Sequence, residues 1–381
     1  MAQKPVLISG AGLASLLLGR SLLRSGIPFH IYERDASLAF RGQGYRLRLS
    51  AEGLDAIESA LEPAAFRKFW DRCGKTGGSG FAAFDAVTGE QTEQNAPGSG
   101  SDGKGTGGGG GGGGEKLTSR EGKTIGIARG DMRNLFMEGC EEFVHFSKNV
   151  KGYELTDDGV KAIFADGTNA NDGIQRIGEG VFRIVDNTKA DGQVGVITNV
   201  RPDDMDDPNV QFGWTMVGSP GVIKAPNDDY TVVGKTAADL AKSLTAGWDK
   251  RFKPLFENLV ESEAAFWKIT CSTPSGVPEW PNNPRVTVIG DAAHSMTPAG
   301  GIGANTAVRD SALLGRLLGE AGGSKEGVTA AYEKEMRVYA SEAVKTSYGM
   351  ATKAFKVHID EETSQTLGPQ GVGDWRSKEE H

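Results

Sequence analysis

The stretch VLISGAGLASLLLGRSLLRSGIPFHIYE, Val6–Glu33, decides the fold. It opens on the apolar run Val6–Ile8, cut off by Ser-Gly-Ala-Gly. A short apolar run closed by glycine reads as a buried parallel strand. Leu13, Leu16, Leu17, Leu22 and Leu23 then recur near helical spacing, and Gly26 stands where a C′ glycine ends a helix. Phe29–Tyr32 is a second apolar run, closed by Glu33. This order predicts a βαβ unit and an α/β fold. Gly10 and Gly12 permit a tight turn and let backbone amides approach a pyrophosphate at the helix N-terminus. The third glycine of the usual fingerprint falls at Ser15, which is small but carries a side chain, and Gly19 follows further along. Glu33 lies 21 residues after Gly12, where an acidic residue binds a ribose hydroxyl of a dinucleotide. A plain glycine-rich turn leaves Glu33 at that spacing unaccounted for.

A second stretch, VTVIGDAAHSMTPAGGIGANTAVRD (Val286–Asp310), has the same build. Val286–Ile289 predicts a strand ending at Gly290-Asp291. A belt of small residues follows, and a helical pattern starts after Gly303 with Ala304, Ala307, Val308, Leu313, Leu314 and Leu317 near one face. A carboxylate at a strand end suits a polyol hydroxyl. The amides of Gly301–Ala304 and the helix dipole suit a group that becomes negative. His294 reads as a structural residue beside this loop, with no acid paired to it in the sequence. Asp310 reads as lying on the exposed side of its helix.

The remaining chain mostly excludes alternatives. The 381 residues suffice for two closely packed domains or one large one. A formal net charge of −8, from 50 acidic and 42 basic residues with no Lys/Arg-rich run, gives a nucleic-acid or anionic-membrane role no electrostatic support. Cys73, Cys140 and Cys271 are far apart and lack metal-type spacing, which predicts a reducing, cytoplasmic setting and no metal site. MAQKPVLISG runs straight into the first strand without a signal-peptide pattern. No apolar stretch of about 18 residues predicts a membrane span. Asn95–Gly114, NAPGSGSDGKGTGGGGGGGG, can bury no apolar surface and reads as a surface insert. IGIARGDMRNLFMEGC predicts a strand turning helical at Asp131, and YELTDDGVKAIFADGT a hairpin. VGVITNV and YTVVG read as strands, Ala237–Leu259 and Thr329–His358 as helices. Trp214, Trp248, Trp267 and Trp280 read as core residues.

Three segments together resemble the FAD-dependent aromatic-ring hydroxylases, the single-component flavoprotein monooxygenases related to p-hydroxybenzoate and salicylate hydroxylases. They are GAGLASLLLGRSLLRSGIPFHIYERD, IARGDMRNLF and GDAAHSMTPAGGIGANTAVRDSALL. The resemblance implies a Rossmann-like FAD domain of the glutathione-reductase type, an inserted and shortened mixed β-sheet substrate domain, and a C-terminal helical segment. The corresponding spans are 1–186 and 285–323 for FAD, 187–284 for the β region and 324–381 for the helical end. It implies that Gly10 and Gly12 face the pyrophosphate, Glu33 the adenosine ribose and Asp291 the ribityl chain. Arg129 would approach FAD from the side. Pro298 and the backbone of Gly301, Gly303, Ala304 and Asn305 would cradle the isoalloxazine, and Gly44 or Arg41 would touch FAD from RGQGYRLRL. The implied reaction uses NADH or NADPH to reduce FAD, and O2 to form a flavin C4a-hydroperoxide that hydroxylates or epoxidises a small aromatic, phenolic or polyketide-type substrate. No general base, substrate identity or oligomeric state is assigned.

The chain departs from that family at one place. The family carries an apolar strand and a Gly-Ala-Asp-Gly motif between its hairpin and its substrate domain. Here IFADGTNANDGIQRIGEG runs past that point, and Ala165-Asp166-Gly167 reads as a hairpin turn instead. A strand and its loop read as deleted near Asn171. Two other readings therefore stand beside the monooxygenase. One is a catalytically impaired remnant or mis-spliced product that at most binds FAD. The other is a flavoprotein oxidase or reductase on the same scaffold.

Overall fold

In a computed structural model of the chain, the βαβ unit forms as its apolar pattern dictates. The structure describes residues 4–38, 46–76, 82–92, 120, 123–156, 159–165, 182–190, 192–199, 213–224, 231–257, 259–267, 269 and 271–364. Strands β1 (Val6–Ser9) and β2 (Phe29–Tyr32) pair in parallel, Val6 opposite Phe29 through Ser9 opposite Tyr32, with helix α1 (Leu13–Arg24) between them. Leu16, Leu17 and Leu22 of α1 are fully buried. Gly26 follows the C-cap Ser25 at φ +66, as expected for a C′ glycine. A β-carbon at Gly19 would stand 3.0 Å from the Phe29 ring and 3.1 Å from Ile31. Gly19 therefore gives the close helix–strand packing for which the fingerprint's third glycine is usually responsible.

The chain continues through β3 (Arg46–Leu49), α2 (Ala51–Ala60), α3 (Pro63–Arg72), β4 (Gly74–Thr76), β5 (Ala82–Asp85) and β6 (Gln91–Thr92). Then come β7 (Thr124–Ala128), α4 (Arg129–Met137), β8 (Val144–His145) and the antiparallel pair β9 (Asn149–Thr156) and β10 (Gly159–Ala165). Helix α4 starts two residues before the Asp131 expected from sequence. β8 adds to β2 in parallel, giving the sheet order β1-β2-β8, while β3-β7-β4 form a small antiparallel sheet.

A second body is built on β11 (Phe182–Lys189), β12 (Gly192–Asn199) and β13 (Gly213–Gly218). Its sheet order is β13-β12-β11-β5-β6, so it takes two strands from well upstream, and the expected border at 186/187 falls within β11. β14 (Thr231–Val233), α5 (Gly234–Thr245), α6 (Pro254–Glu257) and β15 (Ala265–Trp267) follow, with α5 and α6 separated where one helix over 237–259 was expected. Ile184, Val194, Val196, Met216, Trp248 and Phe256 form this body's own apolar core. Trp248 is buried there, its indole donating to Asp186 at 2.8 Å, and Trp214 packs at its edge. The larger core joins α1, β2, α2, α4, α8 (Gly303–Ala321) and α9 (Val328–Phe355), and Trp280 packs against it.

The expected strand Val286–Ile289 does not form a ladder; only an isolated bridge joins Asn283 and Val286. A ladder needs a neighbouring strand, and among the described residues β1 pairs with β2 alone. Side chains and loops hold the segment instead. The Tyr332 hydroxyl donates to the Val288 carbonyl at 3.1 Å, and Thr287 donates to Glu333 at 2.9 Å. Gly44, Arg41, the Asn95–Gly114 insert, Asp166-Gly167 and the Asn171 junction lie outside the described residues, as does the Trp267 side chain. Among the described residues no helix is long and apolar enough to cross a membrane.

Candidate functional site

The glycine turn after β1 is held by its own backbone and by Glu33. Gly10 has φ +85, a conformation that side chains rarely adopt, and its N–H donates to the Tyr32 carbonyl at 2.8 Å. Ala11 N–H donates to Glu33 Oε2 at 2.6 Å, and Asp35 N–H to Glu33 Oε1 at 2.9 Å. Glu33 is buried, so its carboxylate ties the turn to the end of β2. Gly12 caps α1 without a side-chain bond, and no acidic residue stands in the first turn. The carboxylate at the positive end of the α1 dipole therefore comes from the end of β2, as Glu33 on the Ala11 N–H, and not from the helix itself.

A cavity of about 400 Å³ opens over this turn, lined among others by Gly10, Gly12, Glu33, Arg129, Arg133 and Lys148. Nothing lies within 4 Å of where a β-carbon on Gly10 or Gly12 would stand. The room at the glycines is thus space for a ligand. Arg133 was not foreseen from the sequence. It is buried, donating to the Ala11 carbonyl at 3.0 Å and the Leu38 carbonyl at 3.1 Å, so it fixes the turn from the α4 side. Its spacing of four from Arg129 puts both on one face of α4 and was the available signal.

The second loop stands at the N-terminus of α8. Gly290, Gly300 and Gly301 have φ of +60, +81 and +65. Asp291 is exposed at the start of the short helix α7 (Asp291–His294), Pro298 is exposed, and α8 has neither a side-chain cap nor an acidic residue in its first turn. The Asn305 side chain is consumed by the fold. Its Oδ1 accepts from Ser50 N–H at 2.9 Å, while Nδ2 donates to the carbonyls of Arg48 at 2.9 Å and Gly301 at 3.0 Å. Asn305 therefore braces α8 against β3 and α2.

Helices α1 and α8 bring the two loops together. Ser311 donates to the Ala14 carbonyl at 2.7 Å, Gly315 abuts Ser21, and Gly319 abuts Ser25. Contacts that advance together along both helices mean that they run parallel. Both N-termini therefore point the same way, and α8 extends about 12 Å past the Ala14 contact, at 1.5 Å per residue from Ser311 back to Gly303. Two helix N-termini without an acidic residue in their own first turns, staggered on one side of the molecule, suit a long anionic ligand such as a dinucleotide.

Behind the second loop lies a buried polar cluster that corrects two expectations. Asp310 is not on an exposed face; it is fully buried. His294 does have an acid partner, its Nε2 lying 2.7 Å from Asp310 Oδ2. The same oxygen accepts from Gly290 N–H at 2.6 Å, and Oδ1 accepts from the Tyr339 hydroxyl at 2.6 Å. The spacing of 16 between His294 and Asp310 shows no local periodicity because the turn between them sets their meeting. Burial pushes the His294 pKa down, but the hydrogen bond and charge of Asp310 prevail and leave it above its ordinary value.

The fold and loops together are those of a flavin-type dinucleotide-binding protein. A family profile described as "FAD binding domain" matches residues 262–347. The dual O-methyltransferase/FAD-dependent monooxygenase elcB of Phaeosphaeria nodorum is 27% identical over 399 residues, 84% of this chain and 41% of that protein. The FAD-dependent monooxygenase dbaB of Emericella nidulans is 25% identical, covering 82% of this chain and 86% of that protein. The chain spans 41–42% of the length of the dual-function relatives that it matches. Among solved structures, CtdE in complex with FAD and a substrate superposes with a TM-score of 0.66 at 18% identity, covering 92% of this chain and 90% of that one. HpxO of Klebsiella pneumoniae complexed with FAD and uric acid gives 0.56 at 18%, with 92% and 86% covered. The chain has the fold of FAD-dependent monooxygenases, and the resemblance to the aromatic-ring hydroxylases is borne out.

Proposed function

We propose that the chain is an FAD-dependent monooxygenase that uses NADH or NADPH and O2 to hydroxylate or epoxidise a small aromatic, phenolic or polyketide-type substrate in the cytoplasm. The parallel α1 and α8 N-termini over two side-chain-poor loops carry this reading. The residues present fit the cofactor: the glycine turn leaves open space where β-carbons would stand, and Arg129, Arg133 and Lys148 around it balance a diphosphate. FAD, when bound, supplies electron transfer from the nicotinamide and activation of O2.

The chain's residues do the holding. Gly10 and Gly12 face the diphosphate, Gly10 by the room it leaves, since its N–H is held by the Tyr32 carbonyl, and Gly12 by its amide, and Glu33 faces the adenosine ribose with the acceptor capacity its two backbone bonds leave. Arg129 approaches from the side, and Asp291 bonds the ribityl hydroxyls. Pro298 and the backbone of Gly301, Gly303 and Ala304 line the ring, with Asn305 bracing them. The α8 dipole favours charge that develops there on reduction. We place the FAD-binding parts within 1–186 and 285–323, the substrate-covering β region at 187–284 together with β5, β6 and the start of β11 that share its sheet, and the helical end at 324–381.

The test is purification followed by an absorbance spectrum, then O2 uptake driven by NADH or NADPH with a panel of phenols and aromatic polyketides. Bound flavin and hydroxylated product support the proposal. A soluble, colourless protein that takes up no added FAD overturns it. Flavin that oxidises nicotinamide without hydroxylating any compound favours an oxidase or reductase instead.

A further inference from the structure

We propose that Asp310, with His294 and Tyr339, is a positioning cluster for the isoalloxazine end of the site: it fixes the Gly290–Asp291 turn so that Asp291 is presented to the cofactor. This rests on the reading that the site takes FAD. Asp310 and His294 are both fully buried, and the carboxylate gathers donors from three places in the chain. Gly290 comes from the turn, His294 from α7 and Tyr339 from α9, while Asp310 stands on α8, about 10 Å from the helix N-terminus at Gly303. Asp291 is the residue next to the N–H that Asp310 grips, and its own side chain is exposed.

A cluster whose only task was to pack α8 on α9 would do better with apolar side chains. Buried ionisable groups are expensive, and a well-packed apolar set of the same volume is often no less stable. What a hydrogen-bonded carboxylate gives and leucine cannot is a fixed direction for one backbone N–H. Gly290, at φ +60 and ψ −141, sits at a sharp bend, and a β-carbon there would be 3.3 Å from Ala14. The bend is thus set from one side by α1 and from the other by Asp310. Arg309, its guanidinium 4.3 Å over the Tyr339 ring, holds the outer member of the cluster in place.

A double-mutant cycle on FAD affinity, read by quenching of flavin fluorescence on binding to apoprotein, tests the proposal. Asp310→Asn should raise the FAD Kd about tenfold in the wild-type background and less than about twofold on top of Asp291→Ala, because the cluster acts through Asp291. A purely structural cluster would lower the apoprotein Tm and weaken FAD by the same factor in both backgrounds, and that result overturns the proposal. If Asp310→Asn does not fold, Tyr339→Phe, which deletes one peripheral hydroxyl, goes through the same cycle with the same criterion. A wild-type protein that binds no FAD overturns the FAD reading and this proposal with it. Equal factors overturn this proposal alone.

Discussion

Asn305 Oδ1 occupies the place that a side chain at position 53 would need: a β-carbon on Gly53 would stand 2.3 Å from it. Glycine inside the helix α2 costs about 1 kcal/mol relative to alanine. Here it admits an amide that ties β3, α2 and α8 together. Gly53→Ala should therefore destabilise the protein by about 1–3 kcal/mol through overpacking. In an Asn305→Ala background, where the amide is gone, the same change should be neutral or stabilising. Asn305→Ala alone, which leaves Ser50 N–H and two carbonyls without their partner, should cost about 2–4 kcal/mol. Urea unfolding of the four proteins reads both effects.

Gly10 and Gly12 differ in what they forbid. Gly10 is at φ +85, whereas Gly12 is at φ −71, and both face open space. Gly12→Ala should leave the Tm of the apoprotein within a few degrees of wild type and weaken FAD binding by about tenfold or more, since the methyl group fills ligand room. Gly10→Ala should do both, with a stability loss of about 1–2 kcal/mol from left-handed backbone strain. Thermal melts of apoprotein, set beside flavin titrations, separate the two.

The parts of the site that follow chain periodicity were legible in the sequence. Leu16, Leu17 and Leu22 announced α1, Gly26 its end, and Glu33 its distance from Gly12, because each depends on neighbours within one βαβ unit. Asn305 was recognised as part of the loop, but not that its side chain faces Ser50, since that contact joins positions 255 apart. The His294–Asp310 pair escaped for the same reason: the loop between α7 and α8, with Gly300 and Gly301 at positive φ, folds α7 back on α8, and no spacing rule describes that loop. Val286–Ile289 looked like a strand because its composition is that of one. A strand is completed by a partner, and among the described residues it has only the Asn283–Val286 bridge. The second sheet also recruits β5 and β6 across a long stretch of sequence, which local pattern cannot reveal.

Two cations at the same cavity should behave oppositely. Arg133 is buried and engaged with the Ala11 and Leu38 carbonyls, whereas Lys148 is exposed at the rim. Arg133→Met should cost about 2–4 kcal/mol of stability by leaving those carbonyls without a donor, and weaken FAD as a consequence. Lys148→Ala should leave stability within about 0.5 kcal/mol. Its effect should be a rise of about two- to fivefold in the FAD Kd at low salt that fades as salt screens the rim. Titrations at two ionic strengths, with denaturation controls, distinguish a brace from a surface charge.

The Glu33 end of the cavity carries a pH dependence of its own. His145 Nε2 lies 2.9 Å from His30 Nδ1, and its ring stacks on Tyr32 with centroids 5.1 Å apart. Burial first, then the neighbouring His30 and Lys148, hold the His145 pKa below its ordinary 6.5. The folded protein then binds fewer protons than the unfolded chain as pH falls through about 6.5, so stability rises with pH across that window. Acidification should therefore cost stability from near pH 7 downward and level off once the folded-state pKa is passed. The loss should reach Glu33, whose N–H donates to the His145 carbonyl at 2.9 Å and whose carbonyl accepts from Lys148 N–H at 2.7 Å. In His145→Gln, which cannot take up the proton, the slope of unfolding free energy against pH between 5.5 and 7.5 should be shallower than in wild type, and FAD affinity should fall less on acidification. Identical slopes in the two proteins would show that the histidine pair does not couple protonation to the fold.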